Sequence, residues 1–250
     1  MKRYALIIGY AGEADSEGFL PGVESDIVGW QSFLSSPLGG NWLSHEVKVM
    51  IGPRLSEVTA ELARVKGTVD YALIAFSGHG AYSETKGDTL LQLNESECLE
   101  SKKLDAAKKQ TIVLDCCREV VEQKMQKSQA TFESVTEAPA FPHPRQARAA
   151  FDAAVTGCAE GIIVIHACNI GEYSYDDEFG RGGRYTFAFL DAARKWSYDK
   201  PLAENRYAAH SVSAVHIQAT KTLMQDTRFE QNPKIMKMRT PPYFPLCVWI

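Results

Sequence analysis

No stretch of this sequence approaches the roughly 18 to 20 consecutive apolar residues of a membrane span. The N-terminal apolar run, Tyr4 to Ile8, is too short for the core of a secretion signal. An excess of basic residues is also missing: 27 Lys and Arg face 31 Asp and Glu, a net charge of −4. That balance argues against sequence-independent binding to nucleic acid, which needs a basic face for the phosphates. The six cysteines (Cys98, Cys116, Cys117, Cys158, Cys168 and Cys247) contain no C-x-x-C pair and no regular framework, which excludes a disulfide scaffold and a structural zinc site. Low-complexity linkers and internal repeats are absent, so the 250 residues read as a single domain. The expectation is a cytoplasmic protein with reduced thiols and neither nucleic acid nor membrane as a partner.

What is present is an alternation of strands and helices. Tyr4 to Ile8 reads as a first, central strand. Ser25 or Glu24 is placed to cap a helix carrying Ile27, Trp30, Phe33 and Leu34, and Glu46 to Ile51 as a second strand. Ser56 opens a helix with Val58, Leu62 and Val65, and Tyr71 to Phe76 is a buried strand. Leu90 to Leu93 suggests a short strand, Leu104 to Lys109 a short helix, and Thr111 to Leu114 a fourth buried strand. From Lys127 the chain turns polar and then Pro-rich, so 124–150 reads as irregular. Gly161 to His166 returns to a buried strand, helices follow over Tyr185 to Trp196 and Ser211 to Met224, and Tyr243 to Ile250 looks like a closing strand. The pattern predicts an α/β fold, a three-layer α/β/α sandwich with a mostly parallel central sheet.

Two of these strands end in chemistry. Tyr71 to Phe76 runs into Ser77-Gly78-His79-Gly80, and Thr111 to Leu114 into Asp115-Cys116-Cys117-Arg118. Ligands bind outside the carboxyl ends of parallel strands, so neighbouring strands of this kind would bring an imidazole and a thiol together. An imidazole can take a thiol's proton and later return it to a leaving amine. The amides of Gly80 and Cys117 can point at a developing oxyanion. Alternation of side chains forbids Cys116 and Cys117 from both facing His79, and a one-residue shift of register would exchange their roles.

These motifs resemble those of the caspase-like cysteine peptidases, and among them most closely the metacaspases and their bacterial relatives. Ser77-Gly78-His79-Gly80 is similar to the family's histidine motif, and Asp115-Cys116-Cys117 to its D-x-C motif, which carries the nucleophile third and so picks Cys117. Leu20-Pro21-Gly22 with Asp26 resembles the family's first loop and helix. Gly182 to Phe187 resembles the motif that opens its small-subunit helix, so the likeness spans essentially the whole chain. It implies a larger part over 1–123, a cleavable loop over 124–150 and a smaller part over 151–250.

The resemblance further implies a basic P1 residue, Arg or Lys, bound in an acidic pocket by Asp26 and Asp115 with Ser77 lining it, as charge complementarity favours. The plainer reading of Asp26 is a carboxylate beside a helix N-terminus. Where metacaspases carry a further Asp after the strand that Gly161 to His166 resembles, this chain has Asn169-Ile170-Gly171-Glu172, which leaves Glu172 or Asp176 to compensate. Asp88, Glu95, Glu97 and Glu100 are scattered, so neither calcium nor another cofactor is expected. The expected partners are a protein or peptide substrate and a separate sensor or activator protein. Self-processing would cut after Lys124, Lys127, Arg145 or Arg148. The competing reading is a catalytically silent caspase-like binding module. A flavodoxin-like phosphate binder is disfavoured because Gly9-Tyr10-Ala11-Gly12 is too loose a turn.

Overall fold

The computed structural model describes residues 1–14, 16, 18–120, 143–198 and 207–249. The chain opens with β1 (Arg3–Tyr10), α1 (Gly22–Ser35), β2 (Val47–Ile51), α2 (Leu55–Val65) and β3 (Tyr71–Gly78). A small antiparallel sheet follows, β4 (Gly80–Ser83), β5 (Asp88–Gln92) and β6 (Cys98–Glu100), before β7 (Lys109–Asp115). Then come α3 (Pro144–Thr156), β8 (Gly161–His166), α4 (Arg184–Tyr198), β9 (Ala208–Ser211), α5 (Val212–Met224), β10 (Lys234–Met236) and β11 (Pro245–Trp249). The main sheet has the order β10-β8-β7-β3-β1-β2, parallel throughout except for β10. The first strand is therefore next to an edge, and β3 and β7 are the central pair.

Period-two alternation sorts the central strands between two cores. Tyr71, Leu73, Ala75, Val113, Ile163 and Ile165 pack with α1, α3, α4 and α5. Ala72, Ile74, Phe76, Ile112, Leu114 and Cys116 face α2 and the small β4-β5-β6 sheet. The architecture is the expected sandwich, with that small sheet filling part of one helical layer. Among the described residues, no helix is long and apolar enough to cross a membrane.

Four local readings change. The short helix expected over Leu104 to Lys109 does not form. The buried Gln110 side chain accepts from the Ala106 and Ala107 amides (2.7 and 3.1 Å) and donates to the Leu104 carbonyl (2.6 Å), so it supplies the bonds a helical turn would have made. The irregular stretch expected over 124–150 ends early, because Pro144 stands in the first turn of α3, where a missing N–H costs nothing. Helix α1 starts at Gly22 without a Ser25 or Glu24 cap; the Gly22 amide instead reaches Asp176 Oδ2 (3.4 Å). The closing strand β11 does not join the main sheet. It pairs with β9 over the helical face, where Phe244, Leu246 and Val248 are buried and the Val248 amide donates to the Leu38 carbonyl.

A buried ion network ties α3 to the start of β1. Arg148 donates twice to Glu46 (2.6 and 2.7 Å), and Arg3 stacks on Trp42 while donating to the Gly40 carbonyl (3.0 Å) and lying 3.7 Å from Glu46. Burial alone would raise the Glu46 carboxyl, but Arg148, the Leu43 amide and Arg3 outweigh it and hold it low. Removing one partner leaves buried charge unpaired. Glu46→Ala should therefore cost about 3 kcal/mol in denaturant titration at neutral pH. Because the folded-state value is depressed, that contribution is fully present above the unfolded carboxylate range and is lost as pH falls from there through the lower folded value, so the gap between variant and wild type should narrow in acid.

Candidate active site

The two reactive stretches leave the sheet side by side. Strands β3 and β7 pair in parallel with Ser77 opposite Asp115, so the two residues that follow are Gly78-His79 on one strand and Cys116-Cys117 on the other. The segments stay together beyond the sheet. Tyr82 bridges Val120, and its amide donates to the Glu119 carbonyl (2.7 Å). Gly80 is required by this approach, since a β-carbon there would lie 2.6 Å from Cys116 Sγ and 3.0 Å from the Cys117 carbonyl oxygen. The Gln92 amide donates to the His79 carbonyl (3.0 Å), which makes Gly80 and Leu91 a non-hydrogen-bonded pair and turns the Gly80 N–H away from β5.

The two thiols lie on opposite faces. Cys116 continues the side of Ile112 and Leu114 and is packed in the core beneath the small sheet. Cys117 follows Val113 and Asp115 onto the α1/α4 face, where its sulfur contacts the Ser174 amide (3.3 Å) and carbonyl (3.5 Å). His79 is buried against the loop that precedes α1, with its Nε2 at 2.5 Å from the Gly18 carbonyl. A carbonyl only accepts, so Nε2 carries the hydrogen and Nδ1 is the basic nitrogen. A second imidazole, His166, ends the neighbouring strand β8, but it continues the side of Val164, the small-sheet face. Burial, aided by Arg118, pulls its pKa down to about 3, too low for a base at neutral pH.

Next to Cys117, on its own face, carboxylates gather. Asp115 accepts from the Ser174 hydroxyl (2.5 Å) and from the Thr186 amide and hydroxyl (2.9 and 2.7 Å). Asp26 accepts from the Ser77 hydroxyl (2.6 Å) and the Gly183 amide (2.9 Å). Gly182 and Gly183 press so closely that a β-carbon on either would collide with these carboxylates. Burial first, and then the charges of Asp115 and Asp176, push the Asp26 carboxyl well above its ordinary range.

Of the two residues left open as a third acid, Asp176 is the one at this pocket, bridged to Gly183 and against Gly22. Glu172 instead accepts from the Asn169 amide and from the amide and side chain of Asn232, fastening the loop after β8. Of the scattered acids beyond His79, three are engaged by protein donors: Asp88 by Ser101 and Lys102, Glu97 by Asn94 and the Leu55 amide, and Glu100 by Lys86, Lys102 and Lys103. Arg118 donates to Thr89 (3.0 Å) and the Cys168 carbonyl (3.5 Å), binding the small sheet to the β8 exit. The sequence offered no signal for Ser174 or the Gly18 carbonyl, whose roles arise only from their spatial neighbours, while Thr186 stood within the Gly182 to Phe187 stretch without a role of its own.

Arg145 and Arg148 are both on α3, and Arg148 is clamped by Glu46, so neither offers the extended backbone that a peptidase needs. Lys124 and Lys127 lie outside the described residues.

The family model for the caspase domain matches residues 2–244. Among solved structures, the caspase-1 of Spodoptera frugiperda superposes with a TM-score of 0.60 at 12% identity, covering 95% of this chain and 86% of that one. No curated protein sequence matches. With the family model spanning nearly the whole chain and a histidine and a cysteine following its two central strands, the chain belongs to the caspase-domain family of cysteine peptidases, enzymes that act on proteins.

Proposed function

We propose that the protein is a cysteine endopeptidase that cleaves after Arg or Lys, with Cys117 as nucleophile and His79 as base. The observation that carries this reading is the gathering of Asp26, Asp115 and Asp176 on the face of the sheet that holds Cys117. A guanidinium or ammonium entering this pocket would meet carboxylates already desolvated, and Ser77 would line it.

His79 Nδ1 takes the Cys117 proton, and the thiolate attacks the scissile carbonyl. The oxyanion is met by the amides of Gly80 and Cys117, the former already turned away from its ladder. The imidazolium then protonates the leaving amine, and water activated by the same imidazole hydrolyses the acyl-enzyme. His79 Nε2–H stays on the Gly18 carbonyl throughout, fixing the ring. The engagement of Asp88, Glu97 and Glu100 by protein donors supports activity without calcium. Self-processing, where it occurs, is assigned to Lys124 or Lys127. A cytoplasmic location and a separate activator complete the proposal.

A peptide electrophile with Arg at P1 should form a single adduct that mass spectrometry maps to Cys117. Cys116→Ala should keep that adduct and the activity, whereas Cys117→Ala and His79→Ala should each lower kcat by about 10³-fold or more. An adduct on Cys116 would overturn the assignment, and a failure of any residue to label would favour the silent binding module.

The raised Asp26 carboxyl gives a pH signature. A bound cation favours the ionised form, so protons compete with the substrate. KM for an Arg-P1 peptide should fall as pH rises through the Asp26 value, by up to about tenfold per pH unit below it. In Asp26→Asn the KM should be high and flat with pH. Because the folded-state pKa is raised, ionising Asp26 destabilises the empty protein, and Asp26→Asn should raise Tm at neutral pH; an unchanged KM profile in this variant would contradict the pocket.

A further inference from the structure

We infer that Gln231 is a positioning residue for the acidic pocket, acting on Asp115 through the Ser174 hydroxyl. The inference rests on the basic-P1 reading and adds a specificity determinant to it. Gln231 lies between α5 and β10 and is buried. Its Nε2 donates to the Ala167 carbonyl (3.1 Å) and to Ser174 Oγ (3.1 Å), and the Ser174 hydroxyl donates to Asp115 Oδ1 (2.5 Å). One chain of hydrogen bonds thus runs from the exit of β8 to the carboxylate.

The direction of each bond in this chain is forced. A carbonyl only accepts, so the Ala167 oxygen requires the nitrogen of the Gln231 amide on its side; the turned amide would set Oε1 against it. Ala167 is itself a fixed post, since its amide donates to the Leu114 carbonyl (2.9 Å) in continuation of the β7–β8 ladder. Both N–H groups of the amide are then committed, one to Ala167 and one to Ser174. A serine hydroxyl has a single hydrogen, and with Gln231 donating to its oxygen that hydrogen goes to Asp115. The carboxylate offers about four acceptor positions. The Thr186 amide and hydroxyl take those of Oδ2 and Ser174 takes one on Oδ1, which leaves the other on Oδ1 for a substrate cation. Gln231 therefore fixes the geometry at the oxygen that receives the cation. A serine hydroxyl without this partner rotates, and the carboxylate loses the fixed direction that preorganisation requires. The loop that carries Gln231 is held independently of its side chain, because the amide and side chain of Asn232 donate to Glu172 (2.8 and 2.9 Å). Loss of the Gln231 amide is thus felt at Ser174 and Ala167 rather than in the path of the chain.

The test compares two peptides that differ only at P1, one with Arg and one with citrulline, which keeps the length and shape of Arg without its charge. The ratio of their KM values reads the pocket. Gln231→Met keeps the length of the side chain and drops the donor. In this variant KM for the Arg peptide should rise about fivefold, in the range of residues coupled through one hydrogen-bond network, with kcat changed less and KM for the citrulline peptide unchanged. Ser174→Ala should also weaken the Arg preference. Adding Gln231→Met to Ser174→Ala should then change it by less than about twofold, because Gln231 acts through the hydroxyl. If Gln231→Met does not fold, Gln231→Asn, whose amide stops one methylene short of Ser174, should show the same loss. An Arg preference that stays or grows in the Gln231 variant would overturn the inference alone. So would a loss of full size when Gln231→Met is added to Ser174→Ala, which would route the effect through Ala167. Wild type that cuts neither peptide, or both with equal KM, would overturn the basic pocket, and the inference with it.

Discussion

Burying two carboxylates side by side is unfavourable unless donors or a cation answer them. In this protein the answer organises the site. Asp26 comes from α1 and Asp115 from the end of β7, and the groups that satisfy them come from three other places: Ser77 on β3, Ser174 on the loop after β8, and Gly183 with Thr186 at the start of α4. Segments far apart in sequence are thereby drawn to one point at the carboxyl edge of the sheet. The donors are hydroxyls and amides, which partly satisfy the carboxylates without neutralising them, and the elevated Asp26 carboxyl records the remaining cost. A cation from a substrate would remove that cost, which is the physical ground for the proposed preference for a basic side chain.

The second organising constraint is alternation along β7. Because successive side chains point to opposite faces, Asp115 and Cys117 share the side of Val113 while Cys116 joins Leu114 in the other core. The sheet thus places the Cys117 thiol on the side of the carboxylates and the neighbouring Cys116 thiol on the other. The same rule separates the two imidazoles that follow strands: His79 meets the loop before α1, whereas His166 is enclosed beneath the small sheet and kept neutral by burial.

Much of this was legible in the sequence, and the reasons are specific. Buried parallel strands are continuous apolar runs, so Tyr71 to Phe76 and Thr111 to Leu114 stood out, and the polar residues at their ends marked the site edge. What stayed hidden depended on contacts across the chain. Gln110 replaces a helical turn by folding its side chain back on the backbone, which no propensity records. Pro144 reads as a breaker until it is seen in a first turn, and β11 reads as a sheet strand until β10 is found beside β8. Likewise the choice between Glu172 and Asp176 needed the loop's path: Glu172 is committed to Asn232, and Asp176 faces Gly22 and Gly183.

The central claim is that the carboxylates on the Cys117 face select what is cut. A mass-spectrometric profile of cleavage sites in a mixed peptide library, run beside the Cys117→Ala protein, addresses it most directly. The account predicts new termini that follow Arg or Lys and that vanish in the variant. Cuts after Asp or Glu, or basic-site cuts that persist without the Cys117 thiol, would contradict it.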